Sequence, residues 1–322
     1  MWAKIPVSRK LKNANSDSSD QLSLMLFSSS HRIKGHRVSE PYQLAGKLSD
    51  VYTLPSGVIH QDGQYESLGH DILLRMQKEH FWYHGRHRFL LKSVKRFARN
   101  RFPIDSSPMV VDLGGGCGGW IQYLSRNLLW RDAEMALTDS SLNALTMAKP
   151  LIPEGTRLYQ TDIMDLQWSN RWDIAFLLDV LEHLPEPEKA LSQIYESMKP
   201  GGLLFVTVPA MQTLWSFIDE FGHHQKRFVC KDFKALASSS GFRIVDCRYF
   251  MFFLSPLVYL TRKSTNTSLD NDEKIDKFVR KLHEVPPVWI NLPLKLVFGA
   301  ETPLGHHLRF PWGSSLLCVL SK

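Results

Sequence analysis

Met109-Val110-Val111-Asp112-Leu113-Gly114-Gly115-Gly116-Cys117-Gly118-Gly119-Trp120 is the stretch on which the fold turns. Met109 to Val111 is a short apolar run, the pattern of a strand buried on both faces. It leads into glycines, which permit a tight turn and let backbone approach a ligand with no Cβ in the way. Trp120, Leu124 and Leu128 then recur at helical spacing. Asp112 narrows the ligand, because a carboxylate before the turn repels pyrophosphate and suits a cationic amino-acid group. A P-loop is excluded, since no Lys-Ser or Lys-Thr follows.

Outward from the turn, strands alternate with helices. Strands are expected at Glu134–Leu137, Arg157–Gln160, Trp172–Leu178, Leu203–Val208, Phe242–Val245 and Ser314–Leu320. Helices are expected from Ser141 through Met147, over Glu186–Met198 and over 232–240, with Gly201-Gly202 and Gly241 as stops. Seven strands with helices between them predict an open α/β sheet covered on both faces. Upstream, Ile72, Leu73, Met76, Phe81, Phe89, Leu90, Val94 and Phe97 predict one long helix or two, broken near Gly85. The last two strands are separated by an oily stretch, Tyr249 to Leu260, a polar run, a helical pattern at Lys274–His283 and a Pro-rich segment. The organisation read from this is a basic, largely disordered arm (1–40), an N-terminal helical region (41–105), a core (106–248 and 306–322) and a helical insertion or lid (249–305).

Composition removes several classes. The 322 residues include only four cysteines, Cys117, Cys230, Cys247 and Cys318, with no Cys-x-x-Cys pair, so a secreted disulfide framework and a structural zinc site are not expected. No apolar run reaches the length of a membrane span, and the basic start lacks the apolar core of a signal peptide. A cytoplasmic protein is expected. Lys and Arg exceed Asp and Glu by 39 to 32, and residues 1–38 carry seven basic side chains against Asp17 and Asp20. That arm suits a solvated tail or contact with an anionic surface.

Carboxylates close successive strands. Asp139 ends the second, 25 residues after Gly114, where an acid can bond both ribose hydroxyls of an adenosine. Asp162 ends the third, within reach of an adenine amino group, and Asp179 ends the fourth. Together with Asp112 they line one crevice.

With these residues the chain resembles the class I S-adenosylmethionine-dependent methyltransferases, specifically a bacterial small-molecule group. Val111-Asp-Leu-Gly-Gly-Gly-Cys-Gly118 is similar to the cofactor loop, Leu137-Thr-Asp-Ser-Ser141 to the ribose segment and Asp162-Ile-Met-Asp165 to the adenine segment. Leu178-Asp-Val-Leu-Glu-His-Leu184 followed by Met198-Lys-Pro-Gly-Gly-Leu-Leu204 is the most specific pairing. Gly115 and Cys117 depart from the pattern, which more often has Cys and then Thr or Ser. The resemblance implies a Rossmann-like seven-stranded sheet in the order 3-2-1-4-5-7-6 with strand 7 antiparallel, and places the insertion between strands 6 and 7. It implies S-adenosylmethionine as cofactor, held by Asp112, Gly114, Gly116, Gly118, Asp139, Ser140, Asp162, Ile163 and Asp179. From the residues themselves, Trp82 and Tyr83 are expected to cover cofactor or substrate, and Arg86, counted with the cofactor site, to bind a carboxylate or fix its helix.

Two polar-aromatic segments flank this crevice. Glu79-His80-Phe-Trp-Tyr83-His84-Gly85-Arg86-His87-Arg88 precedes the first strand. Its three histidines lie at helical spacings, but Gly85 interrupts them and no carboxylate triad accompanies them, so no metal is expected. Pro209 to Phe228 resembles a subgroup pattern of Leu-Trp, Asp, Gly-His and a final His-x-Arg-Arg-Tyr-like end, here His224-Gln-Lys-Arg-Phe228. An imidazole titrates near neutrality, so His224, with His223 as the alternative and Asp219 as its partner, is the expected base. The competing role is structural, with Asp219 and His224 pinning the loop and Arg227 paired to a helix end or to Glu182. The acceptor is expected against His80, Tyr83, Glu182, Trp215, Arg227 and Phe253; for Glu182 a scaffold role competes, and for Arg227 an ion pair with Glu182.

The function expected is methyl transfer to O or N of a small, lipid-like or natural-product acceptor. A non-catalytic binding protein of the same fold is the alternative. A nucleic-acid methyltransferase fits less well, because no Asn-Pro-Pro-Tyr or Asp-Pro-Pro-Tyr follows the fourth strand, and no nucleic-acid partner is expected. The oily stretch Tyr249–Leu260 is expected to roof the pocket or join the core, with a dimer surface or a membrane-facing patch as alternatives. Arg262 and Lys263 beside it would suit an anionic headgroup or a lipid-linked substrate. The chain is expected to be a monomer or homodimer.

Overall fold

The computed structural model describes residues 41–45, 50–58, 70–127, 130, 132–265, 281 and 284–322. The basic arm, Leu128 and nearly all of the helical pattern expected at 274–283 lie outside the described residues.

The strands are β1 (Gln43–Leu44), β2 (Val51–Thr53), β3 (Met109–Leu113), β4 (Glu134–Asp139), β5 (Arg157–Gln160), β6 (Trp172–Leu178), β7 (Met198–Pro209), β8 (Arg243–Phe250) and β9 (Ser315–Ser321). They form one sheet in the order β1-β2-β5-β4-β3-β6-β7-β9-β8. From β5 onward this is 3-2-1-4-5-7-6, with β9 antiparallel to both β7 and β8, as the resemblance implies. The continuous apolar runs follow from burial on two sides. Val111, Leu113, Ala175 and Leu177 point into one core, while Val110, Ile174, Phe176 and Leu178 point into the other. Each strand therefore feeds both layers by its two-residue alternation.

The α-helices among the described residues are α1 (His70–Glu79), α2 (Phe81–Phe97), α3 (Gly119–Arg126), α4 (Leu142–Ala148), α5 (Pro187–Ser197), α6 (Phe217–Phe221), α7 (Cys230–Ser239), α8 (Ser255–Thr265) and α9 (Val288–His307). Leu191, Ile194 and Phe233 from α5 and α7 fill the first core; Phe89, Trp120, Leu145 and Phe298 from α2, α3, α4 and α9 fill the second.

Three differences from the sequence reading have physical causes. The N-terminal region is not wholly helical, since β1 and β2 extend the sheet beyond β5, with Tyr42 donating its hydroxyl to the Leu166 carbonyl at 2.8 Å. The upstream helix breaks at His80 instead of Gly85. His80 is extended and its Nδ1 accepts from the Trp82 N–H at 3.1 Å, so it caps α2. Gly85 sits mid-helix because a Cβ there would overlap the Phe298 ring of α9. Finally, β7 begins at Met198, and a register shift opposite Trp172–Ile174 absorbs Lys199 to Gly202, which the sequence reading took for a break between helix and strand.

Candidate active site

Between β4 and β6 the chain leaves β3 in opposite directions, and such a reversal opens a crevice at the carboxyl ends of the strands. A cavity of about 570 Å³ occupies this place. Gly114, Gly116 and Gly118 all have φ between +55° and +75°, the left-handed region in which a Cβ is strained. A Cβ on Gly115 would strike the Asp112 carboxylate, which accounts for glycine at that departure from the family pattern.

Asp112 is fully buried, and neither of its oxygens meets a donor among the described residues. Burial pushes its carboxyl up to about 8, with Arg86 opposing. Such a group calls for a cation. Asp139 is held differently: Oδ2 accepts from the Gly116 N–H at 2.8 Å and Oδ1 from the Ser141 N–H at 2.9 Å. The acid thus ties the glycine turn to the end of β4. Asp162 caps the turn after β5 through the Met164 N–H at 2.8 Å. Asp179, at φ +56°, is ion-paired with Arg86, whose guanidinium lies 4.7 Å from the Trp82 ring centre and 5.0 Å from that of Tyr83.

The opposite end of the cavity is organised by Asp219. It closes a capping box with Ser216 at the start of α6. It also accepts from His224 Nδ1 at 2.9 Å, from Arg227 Nε at 2.9 Å and from Arg262. Burial alone would raise its carboxyl; the bonds from His224, Arg262 and Arg227 outweigh that and hold it far below the usual range. With Nδ1 donating to Asp219, a neutral His224 presents Nε2 as an acceptor. The Gln225 N–H donates to the Glu182 carbonyl at 2.7 Å, clamping the His224 loop onto the turn after β6. There the His183 ring lies 4.7 Å from that of His224, edge to face, and burial followed by His224 lowers its pKa to about 4. Glu182 is 1% exposed, with Oε2 meeting no donor among the described residues. Burial and then Asp179 raise its carboxyl well above the ordinary value.

Against this geometry, the methyltransferase-domain family matches residues 81–246, just over half of the chain. The chain belongs to that family. Among curated relatives, phosphoethanolamine N-methyltransferase 2 of Caenorhabditis elegans is 29% identical over 152 residues, 45% of this chain and 33% of that protein. Trans-aconitate 2-methyltransferase of Azoarcus is 29% identical over 109 residues, 34% of this chain and 42% of that protein. The alignments therefore span about a third to two fifths of the length of these relatives. Among solved structures, Haemonchus contortus phosphoethanolamine N-methyltransferase 2 in complex with S-adenosyl-L-methionine has a TM-score of 0.52 at 18% identity, covering 84% of this chain and 61% of that one. A chain from the complex between the Haloferax volcanii Trm112 methyltransferase activator and a methyltransferase gives 0.51 at 15%, covering 82% and 98%. These two show the fold.

The cofactor of this class I methyltransferase is S-adenosylmethionine, and the residues fit it. The unpartnered Asp112 carboxylate matches an ammonium, and the glycines leave room for backbone contact.

The methyltransferase brings most of the expected residues to one cavity. Trp82, Arg86, Asp112, Gly114, Gly116, Asp139, Ser140, Asp162, Ile163, Asp179, His80, Tyr83, Glu182, His224 and Arg227 all line it. Asp219 lies directly behind His224. Gly118, His223, Trp215 and Phe253 do not line it. Gly118 instead caps α3, His223 is exposed, the Trp215 indole donates to Glu220 at 3.2 Å, and Phe253 packs on Phe310 at the surface. Arg86 and Asp179 meet each other, and Arg227 and Arg262 both serve Asp219, so Arg262 is not a surface headgroup ligand. Met251 and Val258 line the cavity, as expected of the oily stretch as a pocket roof, whereas Leu73, Met76 and Ser315 line it without having been assigned to the site from the sequence. These three arrive from α1 and the edge of β9, and no local motif marks them.

Proposed function

We propose that this chain transfers the methyl group of S-adenosylmethionine to an oxygen or nitrogen of a small, largely apolar acceptor. The observation that carries this is the continuity of one cavity from Asp112 and Asp139 to His224. When bound, the cofactor supplies an electrophilic methyl on a sulfonium, so the protein's work is alignment, exclusion of water and management of the acceptor's proton. Asp112 receives the ammonium, Asp139 and Ser140 the ribose, and Asp162 with Ile163 the adenine. The Trp82–Arg86–Asp179 assembly closes the wall beside them. Leu73, Met76, Phe81, Ile218, Phe221, Met251 and Val258 supply the apolar lining that favours a greasy acceptor. The Asp219–His224 pair, which Arg227 and Arg262 hold in place, faces the acceptor's end of the cavity, where the acceptor's proton has to leave. The names of the curated relatives, methyltransferases of phosphoethanolamine and of trans-aconitate, support a small molecule as acceptor, while its apolar character rests on the cavity lining alone. Incubation of the purified chain with methyl-labelled cofactor and a panel of phenols, carboxylates and amines tests the reading; label should move to at least one class, and no transfer to any would refute it.

A lipid surface fits as the place of work. Trp289, Leu292, Leu296, Ala300 and Leu304 fall on one outward stripe of α9, with Trp289 75% and Leu296 65% exposed. Leu257 and Leu260 of α8 are exposed as well, while Val258 and Arg262 of that helix line the cavity. Lys263 and Lys295 lie on the same two helices, which suits an anionic bilayer. No helix among the described residues is long and apolar enough to cross a membrane.

A further inference from the structure

We propose that Glu182, His183 and His224 together hold one divalent transition-metal ion, which binds the acceptor's oxygen. The side chains come from two segments, the turn after β6 and the loop after α6, that are clamped by the Gln225–Glu182 backbone bond. One ligand atom from each lies within 4.8 Å of the others. Bonds of about 2.0–2.2 Å to a central ion would set such atoms roughly 3–4 Å apart, so sub-ångström side-chain shifts close the site.

Three further features favour a cation over a plain polar cluster. First, the donor set is chemically matched: two imidazoles and a carboxylate are the ligands of catalytic zinc and of related first-row metal centres. Second, Glu182 is buried with Oε2 unpartnered, and the nearby arginines are engaged elsewhere, Arg86 by Asp179 and both Arg227 and Arg262 by Asp219. A buried carboxylate without a counter-ion is costly, and a bound cation removes that cost. Third, His224 Nδ1 is held by the Asp219 carboxylate at 2.9 Å, the support that orients a metal-binding imidazole and fixes its tautomer. All three proposed ligands line the cavity, which leaves coordination positions open to an acceptor.

The ion's part would be to lower the pKa of an acceptor hydroxyl. The O–H bond breaks, the proton passes to water and the lone pair stays on oxygen, ready for the methyl group. His224 then acts as a ligand and not as the proton's destination. This second half rests on the methyl-transfer reading above; the metal site itself does not.

The test uses untagged, chelator-treated full-length protein and Co²⁺ alone, followed by its visible absorption, with cofactor binding measured by calorimetry on the same samples. One Co²⁺ per chain is expected, with a spectrum that shifts when Zn²⁺ displaces it. Glu182→Gln and His224→Ala should each weaken Co²⁺ at least about tenfold while near-ultraviolet circular dichroism stays unchanged. Absence of saturable one-to-one binding by the unsubstituted protein, or the same spectrum and affinity in both variants, overturns the metal site. Cofactor binding without Co²⁺ binding sinks this proposal alone; Co²⁺ binding without cofactor binding upholds it and sinks the functional reading. Full methyl transfer after chelation would overturn the ion's role in activation.

Discussion

The cofactor half and the acceptor half of the cavity are built on different principles. The first is made where the chain passes from strand to helix, so each contact lies within a few residues of a strand end: Asp112 before its glycines, Asp139 before Ser141, Asp162 before Met164. The second is made by long-range convergence. Arg262 reaches Asp219 across 43 residues, and the Gln225 N–H reaches the Glu182 carbonyl across as many.

The sharpest way to break this division is His224→Ala. Loss of a positioned proton acceptor or metal ligand should slow turnover by about 10²- to 10⁴-fold. Affinity for S-adenosylmethionine, measured by calorimetry, should stay within about twofold. A comparable loss of cofactor affinity would show that the two halves are one unit. Asp139→Ala is the mirror experiment. It removes the ribose acid and the acceptor for two backbone N–H groups, and a weakening of about 100-fold in cofactor affinity is expected from charge-assisted hydrogen bonds of roughly 1.5–3 kcal/mol. Unchanged affinity would remove Asp139 from the site.

This contrast also governs what could be read from the chain. The strands and the carboxylates at their ends were legible, because strand, glycine turn and acid are neighbours in sequence, whereas the sheet order came only with the family resemblance. The partners of those groups were not. Arg86 and Asp179 were both assigned to the cofactor, yet they neutralise each other, because nothing local to either reveals a counter-ion 93 residues away. Arg262 looked like a headgroup ligand beside an oily stretch; α8 turns it inward to Asp219. The short β1 and β2 carry too few residues for periodicity to register, and they exist because the β5 edge and Leu166 offer partners. His80 was missed as a helix break because its cap depends on χ angles and not on residue type alone.

A pH titration distinguishes the halves by charge. Asp112 is raised to about 8 in the folded chain, against about 4 when unfolded. The folded state therefore binds more protons between those values, and this group's contribution to stability falls as pH rises through that window. Cofactor binding has the opposite sense. An ammonium beside Asp112 favours the carboxylate, so binding at pH 7 should release up to one proton, and affinity should rise up to about tenfold per pH unit, levelling near pH 8. Calorimetry in buffers of different ionisation enthalpy reads the proton directly. In Asp112→Asn the release should vanish; if it persists, another group carries it.

The smallest effect concerns the outward stripe. Leu296 is exposed, lies away from the cavity lining and touches neither half of the site, so Leu296→Glu should leave stability and cofactor affinity unchanged. Burying one leucine in a bilayer interface is worth roughly 1.5–3 kcal/mol at most, and partial insertion less. Sedimentation with vesicles containing anionic phospholipid should therefore fall about three- to tenfold in the variant, and raised salt should reduce binding by both proteins, since lysines on the same helices supply the rest. Equal binding by both proteins would free α9 from any lipid role. Loss of cofactor affinity in Leu296→Glu would mean that the insertion and the sheet behave as one unit, and the separation between a locally built half and a convergent half would have to be redrawn at α9.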